Sequence, residues 1–147
     1  MNLAQIMQSH ALNFFHLSSP DILLGFDADP KDRNIFYLMS KEPAIAKMGV
    51  GLRAFGQGII ELLGKKRIHP AWIVPGGVNA PLDPAYREEI LSKIEEKKQD
   101  ALKAIELFKS KLSSFPNEIA SLANFDTLFM SMVGKDGTRS HKRLHIG

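Results

Sequence analysis

The residues best suited to chemistry lie in one short stretch between two long helix-like segments. His69 can donate a hydrogen bond from its imidazole and tune the field at a polar neighbour, while Gly76 and Gly77 would let another backbone approach closely. Pro70 and Pro75 fix φ, so the stretch bends at defined points and no helix runs through it. A plain connection between two helices explains the same residues, since most loops only connect.

His10 and His16 are weaker candidates near the amino terminus. His10 lies within an apolar helical stripe, where a histidine commonly bonds a backbone carbonyl in the core; the alternative places it in a polar shell behind a buried cofactor. His16 lies off that stripe, so the two imidazoles do not share a helix face as a metal-binding pair would. No nucleophile–base pair is visible, so we assign neither catalytic residues nor metal ligands to the chain.

The absence of cysteine excludes several kinds of reactive or metal-binding site. With 0 Cys, the chain can form no disulfide, no thiolate metal site and no cysteine nucleophile, and its 5 His are scattered. We therefore expect this chain to bind no metal or other cofactor by itself.

The composition is that of an ordinary globular protein. The 147 residues are 44% hydrophobic and 24% charged, enough for one domain with a modest core. Neither a membrane-spanning apolar run nor a secretory signal is present, so we expect a cytoplasmic location and no membrane association. The net charge is +3, and much of it lies in the tail after residue 134, so it gives no argument for nucleic-acid binding.

Helical periodicity predicts a mainly α fold. We expect a bundle of three long helices over 1–18, 43–63 and 84–114, with a short non-helical excursion at 68–82 lying at one end. The inward stripe of the first helix comprises Leu3, Met7, His10, Phe14 and Leu17. The inward stripe of the third helix comprises Tyr86, Ile90, Ile94, Ala101, Ile105, Phe108 and Leu112.

Local signals set the ends of these helices. Ser19 can cap a further short helix that starts at Pro20. Asp83 before Pro84 predicts the start of the third long helix. Gly64 ends the second long helix.

Four glycines inside the second long helix form two pairs with the same spacing, Gly49 with Gly56 and Gly51 with Gly58. Each glycine costs about 0.5–1 kcal/mol relative to alanine in a helix interior. The seven-residue spacing keeps each pair on nearly one ridge, so we predict a packing groove that lets another helix approach closely.

The carboxyl-terminal part contains shorter elements. The pattern predicts a short helix over 117–122 and a strand over 128–133. Residues 138–147 have no amphipathic pattern, and we expect them to form a disordered tail after a helical portion over 1–137.

Three segments carry a family resemblance. The HPxxxVPGGV pattern at 69–78 and the run QSHALNFFHLSSPD at 8–21 resemble two segments of the large subunit of nickel–iron hydrogenases. The run GFDADP at 25–30, followed by Arg33-Asn34, is most similar to the branch that reduces soluble cofactors. That branch includes the bidirectional NAD-linked enzymes and the non-F420-reducing enzymes of methanogens.

The resemblance implies the middle of a catalytic subunit rather than a whole one. The whole subunit would catalyse reversible H2 oxidation coupled to NAD(P) or a related acceptor, passing electrons to the iron–sulfur clusters of a small subunit. Its nickel–iron centre is held by thiolates from two CxxC motifs that this chain lacks, so the segment alone should be inactive. The same resemblance places His69 on the side that faces the small-subunit cluster.

One other interpretation remains open, and a second fails on its structural context. A non-catalytic helical module for protein interaction fits the residues at least as well on physical grounds. If the chain is a fragment, the apolar stripe of the third helix, which a full subunit would bury, predicts self-association of the isolated chain. A nucleotide-binding fold rests only on GVGLRA at 49–54. A helical pattern runs through that segment, where a Rossmann loop would need a preceding strand.

Overall fold

The fold is mainly helical, in agreement with the expectation from periodicity. A computed structural model describes residues 1–122, 124–128 and 130–140, together with the backbone of 145–146. The chain divides into two compact units, Met1–Ser113 and Ser114–Gly147.

The amino-terminal helical run is longer than predicted. Helix α1 spans Asn2–Leu12, a π-helix, here π1, spans Asn13–Ser18, and helix α2 spans Ser19–Leu24 without a break in the helical backbone. Gly25, with φ 97°, ends the run because a left-handed residue cannot continue it.

The predicted capping role of Ser19 is wrong. Ser19 keeps helical dihedral angles (φ −62°, ψ −36°), so no new helix has to start there. Its fully buried hydroxyl instead donates to the carbonyl oxygen of Phe15 at 2.6 Å. The side chain therefore satisfies a carbonyl within the π-helix, where the usual α-helical pairing is disturbed.

The buried face of the amino-terminal run also differs from the predicted stripe. Leu3 and Leu17 were expected to point inward, yet they are 76% and 65% exposed. The core residues are Ala4, Ala11 and Phe15. The two alanines are small enough for a neighbouring helix to approach closely, and this contact decides which face is buried.

Helix α4, at Pro43–Gly64, is that neighbour and packs antiparallel to α1. A Cβ placed on Gly49 would overlap the side chain of Phe15, and one on Gly56 would lie 2.8 Å from the carbonyl oxygen of Ala4. The predicted glycine groove is therefore confirmed for this pair.

The other glycine pair of α4 forms no such close contact. A Cβ on Gly51 would meet only the Nζ of Lys97, at 3.4 Å, and one on Gly58 would have nothing within 4 Å. The difference arises because this side of α4 faces the long side chains of another helix rather than a second row of small residues.

Helix α3 spans Ile35–Lys41. The side chain of Asn34 caps it by accepting from the backbone N–H groups of Phe36 and Tyr37, each at 3.0 Å. Leu38 is fully buried and holds α3 against α4.

Helix α5, at Pro84–Leu112, matches the third predicted helix, and Asp83 caps it by accepting from the N–H of Ala85 at 2.8 Å. It buries no residue completely. The predicted inward stripe is therefore wrong in part, with Ile94 and Ile105 exposed.

Three charged side chains of α5 form a hydrogen-bonded group where this helix faces α4. The Lys97 ammonium donates to Glu96 at 2.6 Å and to Asp100 at 3.1 Å. The hydrogen bond to Glu96 raises the pKa of Lys97 above its ordinary value of 10.5, and Asp100 acts in the same direction. The ammonium of Lys97 lies beside Gly51 of α4, where an added Cβ would be 3.4 Å from its Nζ, so this lysine occupies a helix-facing position.

The predicted excursion between α4 and α5 contains a small antiparallel hairpin. Strand β1 is Ile73–Val74 and strand β2 is Gly77–Val78, with Ile73 opposite Val78 and Val74 opposite Gly77.

The second unit contains the two predicted short elements. Helix α6 spans Pro116–Ser121, and strand β3, at Met130–Ser131, pairs antiparallel with strand β4, at His145–Ile146. Much of the predicted disordered tail, residues 141–144 and 147, lies outside the described residues. Within the described part of the chain, no helix is both long and apolar enough to cross a bilayer.

Candidate functional site

The loop that follows α4 holds His69 and is the best candidate for a functional site. Lys65 ends α4 in the left-handed conformation, with φ 57°, and its N–H donates to the carbonyl of Glu61 at 2.8 Å. His69 is exposed and also left-handed, with φ 51°. Such a φ is unusual for a residue with a Cβ, so the surrounding contacts must hold the backbone in place.

Side chains of α4 provide part of that support. Gln57 donates from Nε2 to the carbonyl of Arg67 at 2.7 Å, and the Arg67 guanidinium pairs with Glu61 at 2.9 Å. Pro70 packs directly on Gly64, where a Cβ would overlap the proline ring. These contacts fix both ends of the turn that carries His69.

A second contact ties the loop to the start of α5. The Lys65 ammonium lies 4.5 Å from the centre of the Tyr86 ring and 3.2 Å from its hydroxyl oxygen. A cation over an aromatic face gains about 0.5–1 kcal/mol at an exposed site. The loop is thus anchored to the two helices that it connects.

The hairpin beyond His69 is closed by side-chain hydrogen bonds. The Trp72 indole N–H donates to the carbonyl of Ala80 at 2.8 Å, and the Asn79 amide donates to the carbonyl of Ala71. Gly76 has φ 85° after Pro75, which are the residue preferences of a type II turn.

The two glycines of the hairpin differ in what they require. Gly76 needs its left-handed backbone, whereas a Cβ on Gly77 would meet nothing within 4 Å. Both face open space, so the backbone here is accessible to another molecule. This arrangement presents an exposed imidazole, on a backbone held by its neighbours, beside an exposed hairpin, which suits docking better than bond-breaking chemistry.

The other two candidate histidines lie on the amino-terminal run. His10 is exposed, so the expectation that it is a core histidine is wrong; it lies on the side of the amino-terminal run that faces α5. His16 lies in π1, and its Nδ1 is buried without a hydrogen-bond partner. Sequence periodicity missed π1 because a π-helical turn keeps the apolar pattern of an α-helix over such a short stretch.

A cavity of about 360 Å³ lies between the amino-terminal run and α5. Its walls are almost wholly apolar and include Met7, His10, Phe14, Leu52, Ile105 and Phe108. The rings of Phe14 and Phe108 meet edge to face, with centroids 6.0 Å apart. Apart from His10, no polar side chain of the described residues lines the cavity, so it supports packing rather than catalysis.

We expect the isolated chain to bind neither nickel nor iron tightly. Its sequence contains no thiolate donor, and no group of three or more His, Asp or Glu side chains among the described residues could hold a metal ion. Metal analysis of protein purified under anaerobic, reducing conditions would measure this. Stoichiometric nickel or iron would contradict the expectation.

Comparison with known proteins adds a family context to this geometry. No protein-family model matches the chain. The chain is 39% identical over 137 residues to an F420-non-reducing hydrogenase subunit of the vhu type from Methanocaldococcus jannaschii, covering 93% of this chain and 32% of that protein. It is 34% identical over 154 residues to the beta subunit of the NAD-reducing hydrogenase HoxS of Cupriavidus necator, covering 97% of this chain and 31% of that protein.

A solved structure is similar over almost the whole chain. The crystal structure of an NAD+-reducing NiFe hydrogenase in the H2-reduced state matches with a TM-score of 0.89 and 36% identity, covering 97% of this chain and 32% of that chain. The homologues of this chain are therefore hydrogenase subunits, and the chain spans about a third of their length.

Proposed function

We propose that this chain is the central segment of the large, catalytic subunit of a nickel–iron hydrogenase of the cofactor-reducing branch. The whole subunit would catalyse reversible H2 oxidation coupled to NAD(P) or a related acceptor. The observation that carries the proposal is the 36% identity and TM-score of 0.89 to a chain of an NAD+-reducing NiFe hydrogenase. The similarity to the hydrogenase proteins from M. jannaschii and C. necator supports it independently.

The residues of this chain do not fit the first coordination shell of a nickel–iron centre. Such a centre needs soft thiolate donors, and the sequence has 0 Cys. The ligands would have to come from parts of the subunit outside the 147 residues, and we assign no step of the reaction to this segment. Its contribution would be scaffolding and the contact with a partner subunit.

The reading frame around the coding sequence tests this proposal. A frame that encodes RxCGxC upstream and a second CxxC downstream of this segment would support it. A natural start and stop around these 147 codons in an unrelated locus would favour the helical interaction module instead.

The exposed loop at His69 is the position that we assign to the small-subunit interface. The imidazole is accessible and its backbone is held by Gln57, Arg67 and Pro70, so a partner would meet a preformed contact. A hydrogen bond from an imidazole near a cluster sulfur changes the reduction potential of that cluster. His69 would then be a positioning residue for electron transfer rather than a metal ligand.

We expect His69→Ala in the full-length parent enzyme to leave the nickel content nearly unchanged and to slow turnover per nickel. Histidine and alanine both carry a Cβ, so the variant keeps the strain of φ 51° that His69 already bears and should change the melting temperature little. A second variant separates the role of the imidazole from that of the backbone.

His69→Gly is the matched control, because glycine adopts the same φ without strain while removing the imidazole. Slowed turnover in both variants, with a melting temperature that glycine raises and alanine leaves nearly unchanged, would support the interface role. Full turnover per nickel in the glycine variant would show that His69 serves the backbone alone. Turnover, nickel content and melting temperature on the same preparations distinguish the two results.

A further inference from the structure

The backbone at His69 departs from the conformation that its local sequence favours. Its φ of 51° lies in the left-handed region, which residues with a Cβ rarely adopt. Pro70 follows, and a residue before proline prefers an extended backbone. Two local preferences therefore oppose the observed turn, so contacts from elsewhere in the chain must maintain it.

Helix α4 provides those contacts on the amino-terminal side of the turn. Gln57 spans ten residues of sequence and donates from Nε2 to the carbonyl oxygen of Arg67 at 2.7 Å. Glu61, one turn later on the same face of α4, accepts from the Nε of Arg67 at 2.9 Å. Helix α4 thus binds both the main chain and the side chain of Arg67, and we call Gln57 and Glu61 the Arg67 clamp.

The two members of the Arg67 clamp differ in what they hold. The side chains of Arg67 and Glu61 are 72% and 47% exposed, so their ion pair contributes little and weakens as salt is added. Gln57 is half-buried, and its neutral hydrogen bond ends on the main chain two residues before His69. Gln57 is therefore the member that fixes the backbone.

The carboxyl-terminal side of the turn is fixed by packing. The ring of Pro70 lies directly on Gly64, the last residue of α4. Only Ile68 and His69 lie between this contact and the bound carbonyl of Arg67. Because both fixed points belong to α4, release of the first would let His69 return toward the extended backbone and would move the imidazole.

We propose that Gln57 is a positioning residue: its hydrogen bond to Arg67 maintains the left-handed turn and so fixes where the His69 imidazole is presented. The part of the proposal that concerns the turn is a property of this chain alone. Its consequence for electron transfer rests on the proposed function, in which His69 lies at the small-subunit interface.

Limited digestion with trypsin tests the turn in the chain itself, because Lys65, Lys66 and Arg67 are cleavage sites within it. Gln57→Met keeps the length and helix preference of the side chain and removes the donor. We expect cleavage at these sites to become about threefold to tenfold faster, the effect of one lost hydrogen bond when cleavage follows the population of the open turn. Mass spectrometry identifies the fragments, and circular dichroism checks that the helices are intact.

Two further variants serve as controls on the same helix. Arg53→Met changes an exposed side chain one turn before Gln57, so cleavage within the turn should change less than about twofold. Glu61→Gln removes the charge of the ion pair, so its effect should disappear at about 1 M salt. The effect of Gln57→Met should persist at that salt concentration, measured against the original chain in the same buffer.

A double-mutant cycle in the full-length parent enzyme tests the consequence for His69. Gln57→Met should leave the nickel content nearly unchanged and slow turnover per nickel by no more than His69→Gly does. In a His69→Gly background it should change turnover by less than about twofold, because a positioning residue acts only through the group that it positions.

Two results would overturn the proposal. One is cleavage of the turn in Gln57→Met that is no faster than in Arg53→Met, and the other is an equal loss of turnover with and without the His69 imidazole. Faster cleavage in Gln57→Met together with full turnover in His69→Gly would support the role of Gln57 in the turn and reject the interface role of His69. The failure of the proposed function is therefore distinguishable from the failure of this inference.

Discussion

Gly56→Ala should lower the free energy of unfolding by about 1–3 kcal/mol, although alanine is the better helix former. A Cβ at this position would lie 2.8 Å from the carbonyl oxygen of Ala4 and 3.0 Å from the backbone nitrogen of Gln8. Both atoms belong to the backbone of α1, so no side-chain rotation can relieve the clash. Helices α1 and α4 would have to move apart, and the contacts that bury Ala4 would weaken.

Gly58→Ala is the matched control on the same helix. A Cβ there would meet nothing within 4 Å, so only the intrinsic helix preference acts. That preference should raise the free energy of unfolding by about 0.5–1 kcal/mol. Chemical denaturation monitored by circular dichroism measures both variants, and shifts of the same sign would contradict the proposed difference between the two glycine pairs.

Phe15→Ala should lower the free energy of unfolding by about 3–5 kcal/mol. Phe15 is only 3% exposed and forms the main core cluster with Ala11 and Leu52. Its ring also meets the ring of Phe14 edge to face at 4.9 Å. Removing it would open a cavity that the rigid glycine contact beside it cannot close.

Leu17→Ala is the corresponding control for the face that sequence periodicity selected. Because Leu17 is exposed, its truncation should change the free energy of unfolding by less than about 0.5 kcal/mol. The same denaturation experiment serves for both variants. A cost at Leu17 comparable to that at Phe15 would mean that the predicted stripe, rather than the alanine face, is buried.

The sequence by itself was sufficient to predict the elements whose ends depend on local chemistry. Asp83 before Pro84 starts a helix because a carboxylate satisfies the first free N–H and proline already has the helical φ. Pro75-Gly76 forms a turn because the two residues prefer the two central conformations that the turn needs. These preferences act within a few residues, so no distant part of the chain has to be known.

The candidate site was only partly accessible from sequence. His69, Gly76 and Gly77 could be placed in the bent connection, since proline excludes a helix there. The left-handed backbone of His69 could not be predicted from sequence, because it depends on Gln57, Arg67 and the packing of Pro70 on Gly64. Such contacts join residues that are far apart along the chain, and no local preference encodes them.

Tertiary structure alone decided which face of the amino-terminal run is buried. The amino-terminal run offers two apolar faces, and the larger side chains of Leu3 and Leu17 favour the wrong one when residues are ranked by hydrophobicity. The alanine face is buried because only small residues let α1 approach the glycines of α4 closely enough for dense packing. Which face is buried depends on the two packed surfaces together, so it cannot be predicted from the sequence of either helix alone.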